Sequence, residues 1–325
     1  MTSTLRIAVA ICTYRRASVA DAIRSVDAQK DISIDHILVI DNDDVPSAKP
    51  IIDALAPLRR IPLKYIHEPG RNISRARNKA LEEAKGGLLA FIDDDEVADP
   101  YWLSALRQAV PNHAAAFGPV TPVYPATAPR AGGVKSASLA CSSFFWSRPR
   151  KTKTDEHFWR GRSEWMREAA PHRAEPVMQQ GVLKAGYAGN CLLDLRHPAL
   201  DGLQFDEALG RTGGEDTAFF YEGFRRGAQY VMVDGAQINE PVAEGRLSLR
   251  WLLRRRFDAG LRLHQLGLLK ARTAPLKVVY CLCSALLRLT SPAKRNSALL
   301  RCSLHLGTIG SALGGRSSRP YGGEG

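Results

Sequence analysis

Apolar residues along the first third of the chain fall into short continuous blocks separated by mixed polar stretches. In chain order, Arg6-Ile7-Ala8-Val9-Ala10-Ile11-Cys12, His36-Ile37-Leu38-Val39-Ile40-Asp41, Leu63 to His67 and Leu88-Leu89-Ala90-Phe91-Ile92 are four such blocks. Apolar runs of this length, without strict alternation, predict strands covered on both faces. The stretches between them predict helices: Ser18 to Gln29, with Ser18 as N-cap and Asp21 in the first turn, then Pro50 to Leu58, then Asn72 to Lys85 ended by Gly86-Gly87. Repeated β–α units of this size predict an α/β fold with a mostly parallel central sheet and helices on both of its faces.

Polar residues gather where these strands end. Thr13, Tyr14, Arg15 and Arg16 follow the first, Asp41-Asn42-Asp43-Asp44 the second, and His67 to Asn72 the third. The fourth runs into Asp93-Asp94-Asp95-Glu96. Ligands of open α/β sheets bind beyond the carboxyl ends of strands, so topology brings these groups to one edge. Four adjacent acids repel one another unless a cation sits among them. Mg²⁺ or Mn²⁺, hard ions that take carboxylate and phosphate oxygens, are the expected occupants. A solvated acidic loop is the plainer alternative. Asp41 suits either a base or ribose contact or a turn, and Tyr14 either base stacking or a rim. No GxGxxG follows the first strand and no GxxxxGK[ST] occurs, which disfavours Rossmann-cofactor and P-loop readings.

Beyond Thr121 the pattern weakens. Phe144, Phe145, Trp146, Phe158, Trp159 and Trp165 stand among prolines and basic residues, which suggests an insertion shaping an acceptor cleft rather than a plain linker. Gly213-Gly214-Glu215-Asp216 then opens a helix running to Arg226. Acids there can simply complement the helix dipole. With two glycines before them they can also approach a ligand, and a carboxylate so placed could accept a proton from an attacking hydroxyl.

The order Cys12-Thr13-Tyr14-Arg15-Arg16, Asp41-Asn42, Arg71-Asn72 through Arg77-Asn78, Asp93-Asp94-Asp95 and Glu215-Asp216 resembles the family 2 glycosyltransferases of GT-A fold. More narrowly, it is similar to their bacterial succinoglycan-biosynthesis type, over roughly residues 5–260. The resemblance implies that Thr13, Tyr14, Arg16 and Asp41 line a nucleotide pocket bordered by Arg75 and Asn78. It implies that Asp93 and Asp94 face ribose or donor sugar, and that Asp95 binds a Mg²⁺ or Mn²⁺ bridging the diphosphate. Asp216 would be the catalytic base and Glu215 would place the acceptor. A further histidine ligand, frequent in the family, has no counterpart in Ile238-Asn239-Glu240-Pro241, so either Glu240 substitutes or that ligand is absent. The implied activity is an inverting, metal-dependent transfer of a hexose from a nucleotide-diphosphate sugar, with uridine expected as the base. The acceptor would be a lipid-linked saccharide or polysaccharide in exopolysaccharide or cell-envelope synthesis.

At 325 residues and 45% apolar content the chain can bury a large core. Its six cysteines show no CxxC spacing and no apolar leader opens the chain, which predicts a reduced, cytoplasmic protein. The net charge of +12 is lopsided: from Arg246 onward 15 Lys or Arg meet only two acids, giving +13, while 30 basic and 31 acidic groups leave −1 before it. Arg250, Arg254, Arg255 and Arg256 alternate with Leu249, Trp251, Leu252, Leu253 and Phe257, and Leu276–Leu287 and Ser297–Leu313 add apolar stretches short of the about 20 residues of a membrane span. Of the two partners such charge suits, anionic lipid and nucleic acid, the amphipathic pattern favours the inner leaflet of the plasma membrane, with no nucleic-acid partner expected. A cap on the core, or a second subunit making a homo-oligomer, is the alternative for these helices. The expected division is a catalytic domain over 1–245 (a nucleotide-binding half at 1–120, an acceptor half at 121–245 with the insertion at 123–180), a basic amphipathic region at 246–313 and a disordered tail at 314–325. Two rival functions remain: a haloacid-dehalogenase-type phosphatase using Asp93 and Asp95, because Asp93 to Val97 fits DxDx[TV], and a non-catalytic membrane or nucleic-acid binding protein.

Overall fold

A computed structural model describes residues 6–124, 176–179 and 182–315. The aromatic-rich insertion falls mostly outside the described residues, and so do Cys141 and the last ten residues. The first half runs β1 (Ile7–Thr13), α1 (Val19–Asp27), β2 (His36–Asp41), α2 (Lys49–Leu55), β3 (Leu63–His67), α3 (Ile73–Glu83), β4 (Leu88–Ile92), β5 (Val97–Ala98) and α4 (Trp102–Ala109). The second continues with β6 (Ala115–Phe117), β7 (Val120–Val123), β8 (Val177–Gln179), β9 (Val182–Ala185), β10 (Asn190–Asp194), α5 (Glu215–Arg225), β11 (Tyr230–Met232) and β12 (Ile238–Pro241). Three helices close the chain: α6 (Leu249–Gln265), α7 (Ala274–Leu286) and α8 (Pro292–Ala312).

Seven strands form the central sheet in the order β11-β6-β10-β4-β1-β2-β3. The strands of the first half pair in parallel, and so do β6 and β11. β10 is inserted antiparallel to both β4 and β6. Why the strands read as continuous apolar runs is now plain. Ile7, Val9 and Ile11 of β1 face α1, α2 and α4, with Val19, Ile23, Ile52, Trp102 and Leu106 in that layer. Ala8 and Ala10 face the opposite layer, where small Ala76 and Ala80 of α3 let the helix lie close and Phe91, Phe117, Phe205, Phe219 and Phe220 fill the remaining space. Edge-to-face rings at 4.8 Å (Phe117–Phe220) and stacked rings at 4.1 Å (Phe205–Phe219) fix that second layer.

Two local expectations differ in detail. Ser18 lies in helical conformation and its side chain caps nothing, so α1 begins at Val19 without the predicted cap. Asn72 is a true N-cap, accepting from the Ser74 and Arg75 amides at 3.1 and 3.3 Å. A small sheet, β5-β12-β7, lies beside the acidic turn and leads into the three-helix appendage.

Candidate active site

The ends of β1 and β4 are tied together by Asp94. Its Oδ2 accepts from the Thr13 hydroxyl at 2.8 Å and from the Tyr14 amide at 3.4 Å, while Oδ1 accepts from Arg16 Nη1 at 2.9 Å. Arg16 also bonds Asp95, so one guanidinium serves two neighbouring carboxylates. Burial is the main force on Asp94 and pushes its carboxyl up to about 6, against the pull of Arg16. The fourth acid does a different job: Glu96 is fully buried and accepts from the Asp93 amide at 2.9 Å, folding the turn back on itself.

The second acidic centre joins the first through α3. Ile73, Ala76, Arg77 and Ala80 form the buried stripe of that helix, and Arg77 is its single charged member. Its guanidinium is bonded to Glu215 at the start of α5 and lies 3.8 Å from Asp93 at the end of β4. Burial opposes the charge on Arg77, but Glu215, Asp93 and Asp216 outweigh it and hold the guanidinium firmly protonated. Asp93 and Glu215 are therefore no farther apart than one guanidinium can reach.

The same helix fixes the loop that delivers Glu215. Asn72 donates to the Glu207 carbonyl at 2.9 Å, Ser74 to Asp206 at 2.7 Å, and the Ile73 amide to Gly210 at 3.1 Å. A Cβ on Gly210 would meet Asn72 Oδ1 at 1.8 Å, so only glycine allows this approach. Gly213 and Gly214 follow with φ of +82° and +97°, turning the chain into α5. Asp216 is half-buried in the first turn of α5 and its Oδ1 accepts from the Thr217 amide at 2.7 Å. Glu215 is buried, and among the described residues no donor meets its second oxygen, Oε2. Cys12 and Cys191 lie close by, but burial pushes both thiols up to about 12, which leaves neither as a thiolate nucleophile.

The remaining predicted residues separate into rim and scaffold. Tyr14 is half-buried, with the Arg15 and Arg71 guanidinium carbons 5.3 and 5.9 Å from its ring centre. Asp41 is fully buried and accepts from the Ala48 amide (2.7 Å), the Tyr65 hydroxyl (2.9 Å) and the Asp43 amide (3.2 Å). These bonds hold the loop after β2. Arg75 bonds Glu68 near the end of β3. Asn78 exchanges two hydrogen bonds with the Phe205 backbone, at 2.9 and 2.7 Å, and acts as a fastener of the second layer. Glu240 is buried on β12 with Arg246 Nη1 at 3.3 Å, so ligating a metal would displace an arginine.

Arg77 stands within the motif that carries the resemblance, but motif reading gave it no role. A charged residue at the i+4 position of an otherwise apolar α3 stripe is the signal that finds it. Asn190 was missed as well: fully buried, it accepts from the Trp102 indole at 2.7 Å and donates to the Pro119 and Ala236 carbonyls, both at 3.0 Å. The cation expected among the acids is supplied in part by the protein, as Arg16 and Arg77. Among the described residues no cluster of three or more His, Cys, Asp or Glu could hold a metal ion alone. The partly exposed Asp95 carboxylate still suits Mg²⁺ or Mn²⁺, ions often held by one or two carboxylates plus phosphate oxygens.

Known proteins bear on this geometry. The chain is 34% identical to the succinoglycan biosynthesis protein ExoM of Rhizobium meliloti, over 98% of this chain and 96% of that one. A glucosyl-dolichyl phosphate glucuronosyltransferase of Haloferax volcanii is 28% identical over 38% of this chain and 41% of its own. Among solved structures, S. aureus TarS residues 1–349, alone and in complex with UDP-GlcNAc, superpose with TM-scores of 0.50 and 0.51 at 14% and 13% identity, covering 93% of this chain and 92% of theirs. These structures share the GT-A fold with this chain. The phosphatase and non-catalytic alternatives fall with these findings. Residues 8–164 match Glycosyl transferase family 2, and with the near-full-length relative this establishes that the chain is a glycosyltransferase belonging to that family.

Proposed function

We propose that the enzyme transfers a hexose from a uridine-diphosphate sugar, with inversion, to a lipid-linked or polysaccharide acceptor in exopolysaccharide synthesis. The observation that supports this reading is the Arg77 bridge, which brings Asp93 and Glu215 together; Asp93 would then lie at the donor end and Glu215-Asp216 at the acceptor end of one crevice. The UDP-GlcNAc held by TarS and the succinoglycan role of the Rhizobium relative support the donor and acceptor classes. Tyr14 and the strand-end loops would receive the base, and Asp93 and Asp94 the ribose or sugar. Asp95 would hold Mg²⁺ or Mn²⁺ against the diphosphate, where the ion offsets the negative charge growing on the leaving group. Arg16, bonded to both Asp94 and Asp95, is placed to exchange one of these partners for a phosphate oxygen.

Asp216, half-exposed where Glu215 is buried, would take the proton from the acceptor hydroxyl. That oxygen bonds to the anomeric carbon as the bond from this carbon to the diphosphate oxygen breaks, and the single displacement inverts the configuration. Glu215, through its Oε2, would accept from a second acceptor hydroxyl and hold the sugar in line. Positioned proton transfer contributes ~10²–10⁴-fold. Asp216→Asn is expected to lose transfer by that factor while retaining UDP affinity, measured by turnover and calorimetry; near-native transfer in this variant would remove Asp216 from the role.

A further inference from the structure

The last three helices carry a surface that the transfer reaction does not use. α8 is the middle element, packed against α6 on one side and α7 on the other. α7 buries Ala274, Cys281, Ser284 and Ala285 against it. Its outer side is a stripe at helical spacing, Leu276, Val279, Tyr280, Cys283, Leu286 and Leu287, all exposed, with Leu276 77% and Leu287 87% accessible. Over its 13 residues the helix is about 20 Å long. An apolar stripe this continuous on a folded surface marks a docking face.

Charge identifies what docks. From Ala259 to Gly323 the chain has ten Lys or Arg and no Asp or Glu. In the chain, Arg272 precedes the stripe, and Arg288 and Lys294 follow it. An apolar face framed only by cations suits an interface whose headgroups are anionic and whose interior is hydrocarbon. No helix among the described residues is long and apolar enough to cross a membrane, so the geometry is one of lying in the interface. A second copy of the chain would bring the same cations to the same edge and repel.

The appendage also meets the catalytic part of the chain beside the α5 acids. α6 and α8 cross so closely that a Cβ on Gly260 would meet the Leu304 carbonyl at 1.9 Å, and one on Gly307 the Phe257 carbonyl at 2.0 Å. Ser303 donates to the Leu253 carbonyl at 2.7 Å across the same crossing. At the other side of α6, Arg262 donates to the Thr212 carbonyl at 3.0 Å, and its side chain lies against Gly214 beside the acceptor-end acids.

We infer that the outer face of α7 docks on an anionic bilayer, in the plane of its headgroups, and holds the transfer crevice at a fixed height above a lipid-borne acceptor. The inference deepens the proposed function and rests on it for the acceptor alone. The test is co-sedimentation of the full chain with phosphatidylcholine vesicles, with and without phosphatidylglycerol, beside a lipid-free UDP titration. Wild type should pellet with the anionic vesicles, Leu276→Glu/Leu286→Glu should bind them at least tenfold more weakly, and Arg288→Glu/Lys294→Glu should lose the preference for phosphatidylglycerol. UDP affinity should be the same in all three, which also shows that the variants fold. Wild type remaining in the supernatant with intact UDP binding would overturn the inference. So would undiminished vesicle binding by the leucine variant together with a lipid-free dimer that it splits, which would assign the stripe to a second copy. Failure of wild type to bind UDP would strike the donor reading alone.

Discussion

The crevice and the helical appendage handle charge in opposite ways. In the crevice, acids outnumber the arginines they meet: Arg16 bonds Asp94 and Asp95, Arg77 lies with Asp93 and Glu215, and Arg15 bonds Asp43 at 2.7 Å. In the appendage, cations stand with almost no acid, and Asp258, 3.7 Å from Arg254, is the single carboxylate of its three helices. The arginines offset part of the acid charge without a ligand. An excess of either sign suits a partner of the opposite sign. The acid excess suits the metal ion, and the cation excess the anionic surface, proposed above.

This contrast can be broken at its strongest point first. Arg77→Met should leave the buried Glu215 carboxylate without its counter-ion, costing about 3–5 kcal/mol. Thermal melting should fall by on the order of 10 °C, with transfer activity lost. Gly307→Val should force α6 and α8 apart at the Phe257 carbonyl, costing about 1–3 kcal/mol. Hydrogen exchange should then quicken across 249–312 while β1 and β4 keep their protection; equal loosening of both regions would show that they do not behave as separate packing units.

The Asp94 carboxyl gives the comparison a pH signature. Its pKa in the fold, about 6, is above the ordinary 3.8, so the folded state binds the extra proton between these values. Stability from this group is full below about pH 4 and is lost as pH rises through 6, by up to roughly 3 kcal/mol. Asp94→Asn should flatten that slope in melting curves taken from pH 4 to 7. Nucleotide binding should move the other way, strengthening as Asp94 ionises and Arg16 is held. The smallest effect belongs to the appendage surface: Leu276→Ser should change stability by less than about 0.5 kcal/mol, since its side chain packs on little.

Much of the crevice was legible in the chain itself. Apolar blocks gave the strands of the first half, and the polar residues after them marked one edge, because parallel strands end together. The reversal at β10 was not legible, since Cys191 to Leu195 carries no sign of strand direction. Nor was the division of labour among the acids. Asp93 to Glu96 reads as one cluster, yet Glu96 folds the turn, Asp94 ties two strands and Asp93 reaches Arg77. Side-chain roles of this kind depend on which neighbour the fold brings near, and Arg77 and Glu215 are 138 positions apart. Asn78 shows the same limit, lying within a motif of binding residues while its amide fastens Phe205.

The claim on which the rest depends is that Asp93 and Glu215 share one arginine and therefore one crevice. A double-mutant cycle with Asp93→Asn and Glu215→Gln, read as unfolding free energy, tests it most directly. Groups that share a partner should couple by about 0.5–3 kcal/mol. Additivity to within about 0.3–0.5 kcal/mol, the behaviour of distant and independent sites, would contradict it.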